Sequence, residues 1–337
     1  MSPLALFNRQ PRRTSMTIKQ KTGILAIFLI LAVSFSTNSF ARSSLRLGYL
    51  PIAECTPLFV AQTEGFFQKH GLTVKLTEFD AGPTVIAATL GGSLDGGLAG
   101  VAPIFFAAAK EKPIKMVSDG GHAVPAEHPY VGMVVMVNSP IKSVAELKGK
   151  TVAVNGLKTI EDALLRVALN EAKISDSVKV IELPHPIMLP TLERGTIDAS
   201  MAIEPYISMG LATGNIRVLA GSEDIIPSFQ ISTIFFSNEF IDRKPDTLKR
   251  FTAAYNDAID FIAANPDRVR QIVAQWTKTP METVKSITLP GWSKELPVAG
   301  IKSAQKVMVD NKILDKSVDL ESYIYTTAQH HRIDAAK

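Results

Sequence analysis

Hydrophobic residues recur along the chain with two spacings, and both occur in one early segment. Leu45, Leu47 and Tyr49 alternate with other residues, as is typical of a strand, whereas the apolar residues after Pro57 have helical spacing. Thr56 before Pro57 predicts a helix start, because threonine caps free amides and proline needs no partner at the first helical position. Free amides at a helix N-terminus favour polar or anionic ligands, so the loop before this helix is a candidate binding segment.

Strands and helices continue to alternate in two series. The first series ends with a predicted strand at 114–118, and residues 119–130, rich in glycine and proline, predict a crossing segment. A second series occupies 131–219, and the apolar, β-branched run at 228–236 predicts the return crossing. The chain from 245 onward is predicted to be mostly helical. This order predicts an α/β fold with two lobes and mainly parallel sheets, in which ligands lie beyond the carboxyl ends of the strands.

The N-terminal segment has the pattern of a secretory signal. Residues 23–35 form an apolar run with a single serine, and Lys19 and Lys21 precede it. Ser39 and Ala41 provide a small-x-small cleavage site, so we expect cleavage after Ala41. The run is short for a membrane span. Translation from Met1 or from Met16 would give the same signal regions, and both starts stay open.

Removal of residues 1–41 changes the charge of the protein. The segment contains five basic residues and no acidic one, so Lys plus Arg fall from 36 to 31 against 32 acidic residues, and the net charge changes from +4 to −1. The mature chain therefore offers no electrostatic argument for a nucleic-acid or membrane-surface partner. Cys55 is the only cysteine, which excludes an internal disulfide. The chain has no metal-ligand spacing, phosphate-binding loop or dinucleotide fingerprint, so no cofactor and no metal are predicted.

Several short motifs occur in a characteristic order. They are Leu-Arg-Leu-Gly-Tyr at 45–49, Glu-Gly-Phe-Phe at 64–67, Leu-Lys-Gly-Lys-Thr-Val-Ala-Val at 147–154, and Glu-Pro-Tyr at 204–206. With these motifs the mature chain resembles the periplasmic substrate-binding proteins of ABC importers for nitrate, sulfonate and taurine.

The resemblance implies the two-lobed periplasmic-binding-protein fold. In this fold two crossing segments join the lobes, and the ligand cleft lies between the lobes. Residues 42–120 and 235–337 would form the first lobe and residues 121–234 the second, with hinge segments at both ends. It further implies a monomeric protein of the periplasm, exported through its signal peptide at 1–41, that binds a small solute by cleft closure. The solute would pass to an ABC permease in the inner membrane. A sensor role in the same compartment would leave no difference in the sequence.

In the first lobe, three strand-to-helix turns supply candidate ligand-binding residues. Their alternative role is structural capping, or a plain surface loop. The candidates are Glu54, Cys55 and Thr56 in the first turn, Gly82 and Thr84 in the second, and Gly100 and Val101 in the third, where a missing side chain would let backbone amides approach a ligand.

In the second lobe, the loop at 155–159 joins a strand to a long helix, so Asn155 and Thr159 are candidates, and Lys158 could neutralise an anion. The resemblance adds Glu204, which would hold an amine of the ligand or cap the next helix. His122 and Tyr130 are candidates in the hinge.

These residues leave the ligand class open. Helix N-termini and threonines suit a sulfonate, nitrate or carboxylate, whereas Glu54 and Glu204 would repel an anion unless it also carries an amine, as taurine does. A pyrimidine-like or aromatic carboxylate solute is an alternative. An enzyme is the other class: relatives with this fold include desulfinases with a nucleophilic cysteine in the first loop, where Cys55 lies, although their histidine and arginine partners are not matched here. We expect a binding protein and not an enzyme.

Overall fold

The computed structural model describes residues 43–226 and 230–325. The predicted signal peptide at 1–41 and the alternative start at Met16 lie outside these residues. Within the described ranges, no helix combines the length and the apolar character that crossing a membrane would require.

Strands and helices alternate through most of the described chain. The strands are β1 (Ser43–Tyr49), β2 (Leu72–Glu78), β3 (Gly96–Gly100), β4 (Ile114–His122), β5 (Val131–Met136), β6 (Thr151–Val154), β7 (Lys179–Glu182), β8 (Ala199–Ile203), β9 (Ile216–Gly221) and β10 (Gln230–Ser237). The helices up to the second lobe's end are α1 (Thr56–Thr63), α2 (Phe66–Lys69), α3 (Gly82–Leu90), α4 (Val101–Ala108), α5 (Ile160–Glu171), α6 (His185–Glu193), α7 (Tyr206–Ala212) and α8 (Ser222–Ile225). They are followed by α9 (Asn238–Arg243), α10 (Pro245–Ala264), α11 (Pro266–Thr277), α12 (Met281–Val284), α13 (Val298–Asp310) and α14 (Leu320–Tyr323). Short 3-10 turns occur at Ala53–Cys55, Val144–Leu147 and Ser175–Ser177.

The described strands form two five-stranded sheets, one in each lobe. Their orders are β2-β1-β3-β10-β4 and β7-β6-β8-β5-β9. β1 is parallel to β2 and β3, and β6 is parallel to β7 and β8, whereas β10 and β5 are antiparallel to both of their neighbours. β5 and β10 are the strands that enter a sheet from the other lobe. Because the chain crosses at the carboxyl ends of the parallel strands, an entering strand runs against them. The predicted α/β class and two-lobed fold are confirmed, whereas the prediction of mainly parallel sheets is wrong, because two of the four strand pairings in each sheet are antiparallel.

The limits predicted for the second lobe, 121 and 234, both fall inside strands of the first sheet. β4 continues to His122, and β10 pairs with β3 and β4 over 230–237. Gly120 and Gly121 belong to the predicted crossing segment, yet both lie in β4. In the fold, a Cβ at Gly120 would lie 2.7 Å from the backbone nitrogen of Thr233, so glycine allows a close strand contact there. The connection between the sheets is therefore shorter than the predicted crossing at 119–130.

Aromatic side chains fix the C-terminal helices to the first lobe. The ring of Phe251 on α10 lies 6.0 Å from that of Phe67 on α2, 5.1 Å from Phe236 on β10 and 5.7 Å from Tyr255, measured between centroids. The buried Tyr255 hydroxyl donates a hydrogen bond of 2.7 Å to the carbonyl of Asp119 on β4. Such aromatic pairs bury large apolar areas, so they hold the sheet whose carboxyl edge faces the second lobe.

Candidate ligand-binding site

A small cavity lies between the lobes at the carboxyl ends of their parallel strands. It leaves about 20 Å³ for the centres of water-sized molecules, which is room for about one water. The first lobe lines it with Leu50, Ile52, Glu54, Gly82, Leu98, Gly100 and Pro103, and the second with Asn155, Thr159, Ile160, Glu161 and Ile203. Both series of strand-to-helix turns therefore meet at this one place.

Glu54 contributes a buried carboxyl group from the first lobe. Its backbone N–H donates a 2.8 Å hydrogen bond to the Tyr130 hydroxyl, and its side chain is almost completely buried. Among the residues that the structure describes, its Oε1 atom has no hydrogen-bond partner. Burial raises the pKa of Glu54 to about 8 against the opposing effect of the Ser232 side chain, and the negative charges of Glu161 and Asp119 add to the increase. The carboxyl is therefore mostly protonated at pH 7 while the cavity is empty.

The second lobe contributes two more acceptors, Asn155 and Glu161. Asn155 Oδ1 is buried and has no hydrogen-bond partner in the described part of the chain. Glu161 is buried, and its Oε1 lies 3.2 Å from Nε2 of His185. This distance suits an ion pair, but neither ring nitrogen of His185 makes a hydrogen bond to a described residue. The His185 ring stacks on Tyr206 at 5.2 Å.

Glu161 and Ile160 are absent from the residues predicted from the sequence. The Thr159 hydroxyl accepts a 3.3 Å hydrogen bond from the Asp162 N–H and donates one of 2.7 Å to the Gly156 carbonyl, so Thr159 caps α5. This cap places Ile160 and Glu161 in the first helical turn, beside the predicted loop. Recognising Thr159 as the N-cap would have pointed to both residues.

Two glycines leave space at the cavity. A Cβ at Gly100 would lie 3.2 Å from Cβ of Ile160 in the other lobe, and one at Gly82 would lie 3.3 Å from Cβ of Ala99. A side chain at Gly100 would keep the backbones of the two lobes farther apart, and one at Gly82 would separate its helix from β3. Val101, the first residue of α4, is fully buried and is not among the cavity-lining residues.

Cys55 and Thr56 are fully buried and do not line the cavity. Thr56 was expected to cap α1, but its hydroxyl donates a 2.6 Å hydrogen bond to the Ala53 carbonyl, within the 3-10 turn that precedes the helix. Thr84 behaves in the same way toward the Ala81 carbonyl, also at 2.6 Å. Burial raises the pKa of the Cys55 thiol well above its usual range. A nucleophilic cysteine needs the opposite shift.

The remaining predicted residues lie at the hinge, outside the cavity lining. Glu204 is buried and accepts hydrogen bonds from the Ser208 N–H at 3.0 Å, the Ser208 hydroxyl at 2.8 Å and the Thr288 N–H at 3.1 Å. His128 Nδ1 lies 3.2 Å from its Oε1. Burial raises the pKa of Glu204, and the Ser208 and Thr288 donors oppose the shift. Glu204 thus caps α7 and binds the C-terminal segment.

His122 is held at the end of β4. Its Nδ1 lies 2.8 Å from Oδ2 of the buried Asp119, which also accepts from the Ser293 N–H at 2.8 Å. Tyr130 is buried, and its carbonyl accepts from the Glu204 N–H at 3.0 Å. These contacts connect the crossing segment to both lobes.

Lys158 lies away from the cavity. Its Nζ is 5.6 Å from the centroid of the Phe106 ring, in a separate groove of about 810 Å³ that also contains Arg166. Arg166 pairs with Asp162 at 2.9 Å. Across the described ranges, no group of three or more His, Cys, Asp or Glu side chains could hold a metal ion.

A sequence model of the NMT1-like family matches residues 40–278, which is well over half of the chain. The chain belongs to the NMT1-like family. Proteins similar to this chain include one of Brucella abortus (strain 2308) named as a putative binding protein, which is 29% identical over 77% of this chain and 80% of its own length. A Bacillus subtilis (strain 168) protein named for the binding of aliphatic sulfonates is 27% identical over 81% of this chain and 83% of its own. The predicted resemblance is confirmed by these matches.

Solved structures share the fold of this NMT1-like protein. The periplasmic aliphatic sulphonate binding protein SsuA from Escherichia coli superposes with a TM-score of 0.67 at 22% identity, covering 84% of this chain and 92% of its own. A desulfurization enzyme, DSZB, superposes with a TM-score of 0.61 at 16% identity, covering 88% and 100%. At these identities the likeness concerns the fold.

Proposed function

We propose that this protein is the solute-binding subunit of an ABC importer, which captures a small solute in the periplasm between its two lobes. The observation that carries the proposal is the cavity at the carboxyl ends of both sheets, where buried oxygen atoms of Glu54 and Asn155 lack partners among the described residues. Buried polar atoms in folded proteins usually have partners, so these two oxygen atoms are free to accept hydrogen bonds from a solute in the cleft. The names of the relatives support binding as the activity, with aliphatic sulfonates as the ligand class of one of them.

The proposed mechanism is closure of the lobes around the solute. The cavity has room for about one water, so it is too small for a sulfonate or a nitrate ion. The lobes must therefore separate to admit the solute, and they then close on it. A solute stabilises the closed state only by contacts that the open state lacks. Glu54, Gly82 and Gly100 on one side and Asn155, Thr159 and Glu161 on the other are the proposed contacts, and the solute then passes to a membrane permease.

We assign no catalytic step to this site. Cys55 is fully buried and does not line the cavity, and burial opposes formation of its thiolate. Lys158 and His128 are basic groups that could lower the pKa of a nearby thiol. Both have other partners, because Lys158 contacts Phe106 and His128 contacts Glu204. These contacts favour capture of a solute over chemistry on it.

Native mass spectrometry of the full chain tests the proposal. The protein is expressed with its own N-terminus in a Gram-negative host, purified from the periplasmic fraction, and measured before and after mild denaturation. We expect a small solute to be released. We also expect the mass of the intact protein to match a chain that begins at Arg42. Protein that releases nothing, and that no sulfonate, nitrate, amine or aromatic acid stabilises in a thermal-shift panel, would overturn the proposed function.

A further inference from the structure

Three side chains in the cavity present hydrogen-bond acceptors to the same space. Glu54 comes from the first lobe, and Asn155 and Glu161 come from the second. Glu54 Oε1 and Asn155 Oδ1 lack partners among the described residues, and Glu54 and Glu161 are each about 2% exposed. The amide oxygen of asparagine and an ionised carboxylate accept hydrogen bonds only, and Glu54 reaches its ionised form when a cation displaces its proton. The group that satisfies these atoms must therefore donate hydrogen bonds.

The charges around the cavity also favour a hydrogen-bond donor, and in particular a cationic one. Its lining, as far as the structure describes it, contains two glutamates and no lysine or arginine. Lys158 and Arg166 lie in the separate groove, where they contact Phe106 and Asp162. His185 is the basic side chain nearest to Glu161. An anion placed between the two glutamates would meet no fixed cation, whereas a cationic nitrogen would form charge-assisted hydrogen bonds there.

We propose that Glu54, Asn155 and Glu161 form a subsite for a cationic nitrogen, so that the transported solute carries a protonated amine or a comparable N–H cation. This inference rests on the proposed function and names the chemical class of its solute. The N-termini of α4 and α5 border the same cavity, and their free amides suit an acceptor group at the other end of the solute. The cleft would then distinguish an amino compound from its deaminated analogue.

Binding of a cation at this subsite is coupled to release of a proton. Burial raises the pKa of Glu54 to about 8 in the empty cleft, so at pH 7 a cation must first displace the proton of this carboxyl. Affinity for the cation then rises with pH, approaching tenfold per pH unit below about pH 8. An anion held by the protonated carboxyl would show the reverse, with affinity falling above about pH 8. The titratable groups around Glu54 are Cys55, Asp119, Tyr130, Glu161 and Tyr255.

Matched pairs of solutes test the subsite by calorimetry. Each pair differs by one amino group that is protonated between pH 6 and pH 8: 2-aminoethanesulfonate and ethanesulfonate, and 4-aminobutyrate and butyrate. We expect the amino member of at least one pair to bind at least tenfold more tightly than its partner, because a buried acceptor left unpaired disfavours the analogue. Affinity of that amino member should increase between pH 6 and pH 8.

A test variant and a control variant distinguish loss of the subsite from a general effect of the substitution on the fold. Glu54→Gln should lose the preference for the amino member and the pH dependence, while thermal unfolding shows a folded protein. Glu171→Gln removes a carboxylate from the exposed end of α5 and should leave both properties unchanged. Glu161→Gln provides a second test from the other lobe if Glu54→Gln does not fold.

The outcomes distinguish this inference from the proposed function. A solute released from the purified protein that carries an N–H cation supports both, as does preferential binding of an amino member that Glu54→Gln abolishes. A released solute without an N–H cation, or tighter binding of the deaminated members, overturns the inference and leaves the proposed function intact. Absence of a released solute together with no binding of any probe overturns the proposed function itself.

Discussion

The Oε1 atom of Glu204 accepts a hydrogen bond of 3.1 Å from the backbone N–H of Thr288. Glu204 follows the last strand residue of β8 in the second lobe, whereas Thr288 belongs to the segment that pairs with β4 of the first lobe through Gly291 and His122. The buried carboxylate therefore connects the second lobe with a segment anchored on the first.

Glu204→Ala should destabilise the protein. The substitution leaves the N–H groups of Ser208 and Thr288 without their buried acceptor, and each such loss costs about 1 to 3 kcal/mol. We expect the free energy of unfolding in urea to fall by about 2 to 5 kcal/mol. Glu239→Ala, which removes an exposed ion pair with Arg243, is the control and should change it by less than about 1 kcal/mol. Equal stability of the two variants would contradict the hinge role.

Gly100→Val should weaken solute binding while the fold persists. A Cβ at Gly100 would lie 3.2 Å from Cβ of Ile160 across the cleft but 3.5 Å from its nearest neighbours within the first lobe. The added side chain therefore obstructs lobe closure more than it strains its own lobe. We expect the affinity for the released solute to fall at least tenfold, and the radius of gyration in saturating solute to exceed that of the wild type.

Ile160→Gly in the Gly100→Val background should recover part of this affinity, because it removes the Cβ atom that a Cβ at position 100 would approach to 3.2 Å. Wild-type affinity in Gly100→Val alone would show that closure does not require the contact between these positions.

Glu54 should make the protein less stable as the pH rises. Its pKa is about 8 in the folded state against 4.5 for the ordinary carboxyl, so the folded protein holds the proton that the unfolded chain releases between these values. Stability is therefore lost from about pH 4.5 to about pH 8, by up to about 1.4 kcal/mol per pH unit. Denaturant unfolding without solute, compared between wild type and Glu54→Gln, measures this slope.

Other groups titrate in the same range, so the difference between the two proteins is the informative quantity. Glu54→Gln should gain stability relative to the wild type as the pH increases, whereas Glu171→Gln should follow the wild type. Parallel curves for wild type and Glu54→Gln would refute the raised pKa.

Cys55 should resist alkylation in the folded protein. The thiol is fully buried, and its raised pKa leaves almost no thiolate near neutral pH. We expect iodoacetamide to react with it at least about 100-fold more slowly than with an exposed thiol, and at a normal rate in denaturant. Leu157→Cys in a Cys55→Ser background gives the exposed reference, since Leu157 is 44% exposed. Rapid labelling of native Cys55 would reopen the enzyme hypothesis.

The sequence by itself determined the class of fold and many of its elements. The spacing that predicts β1 and the proline that predicts the start of α1 act within a few residues, where local backbone preferences decide. The order of motifs likewise identified the family, which the match over 40–278 confirms. The ends of β4 and β10 were predicted less well, because Gly120 lies in β4 through its close contact with Thr233 of β10, which is distant in sequence.

Only the tertiary structure decided which polar groups share a space. Glu204 and Glu54 look alike in the sequence, yet Glu204 finds its donors in Ser208 and Thr288, while Glu54 Oε1 finds none in the described chain and lies in the cavity. Glu161 became a neighbour of Glu54 only through the meeting of two lobes. The physical reason is that burial and hydrogen bonding depend on residues distant in sequence, and these set the charge and the ligand preference of a buried carboxyl.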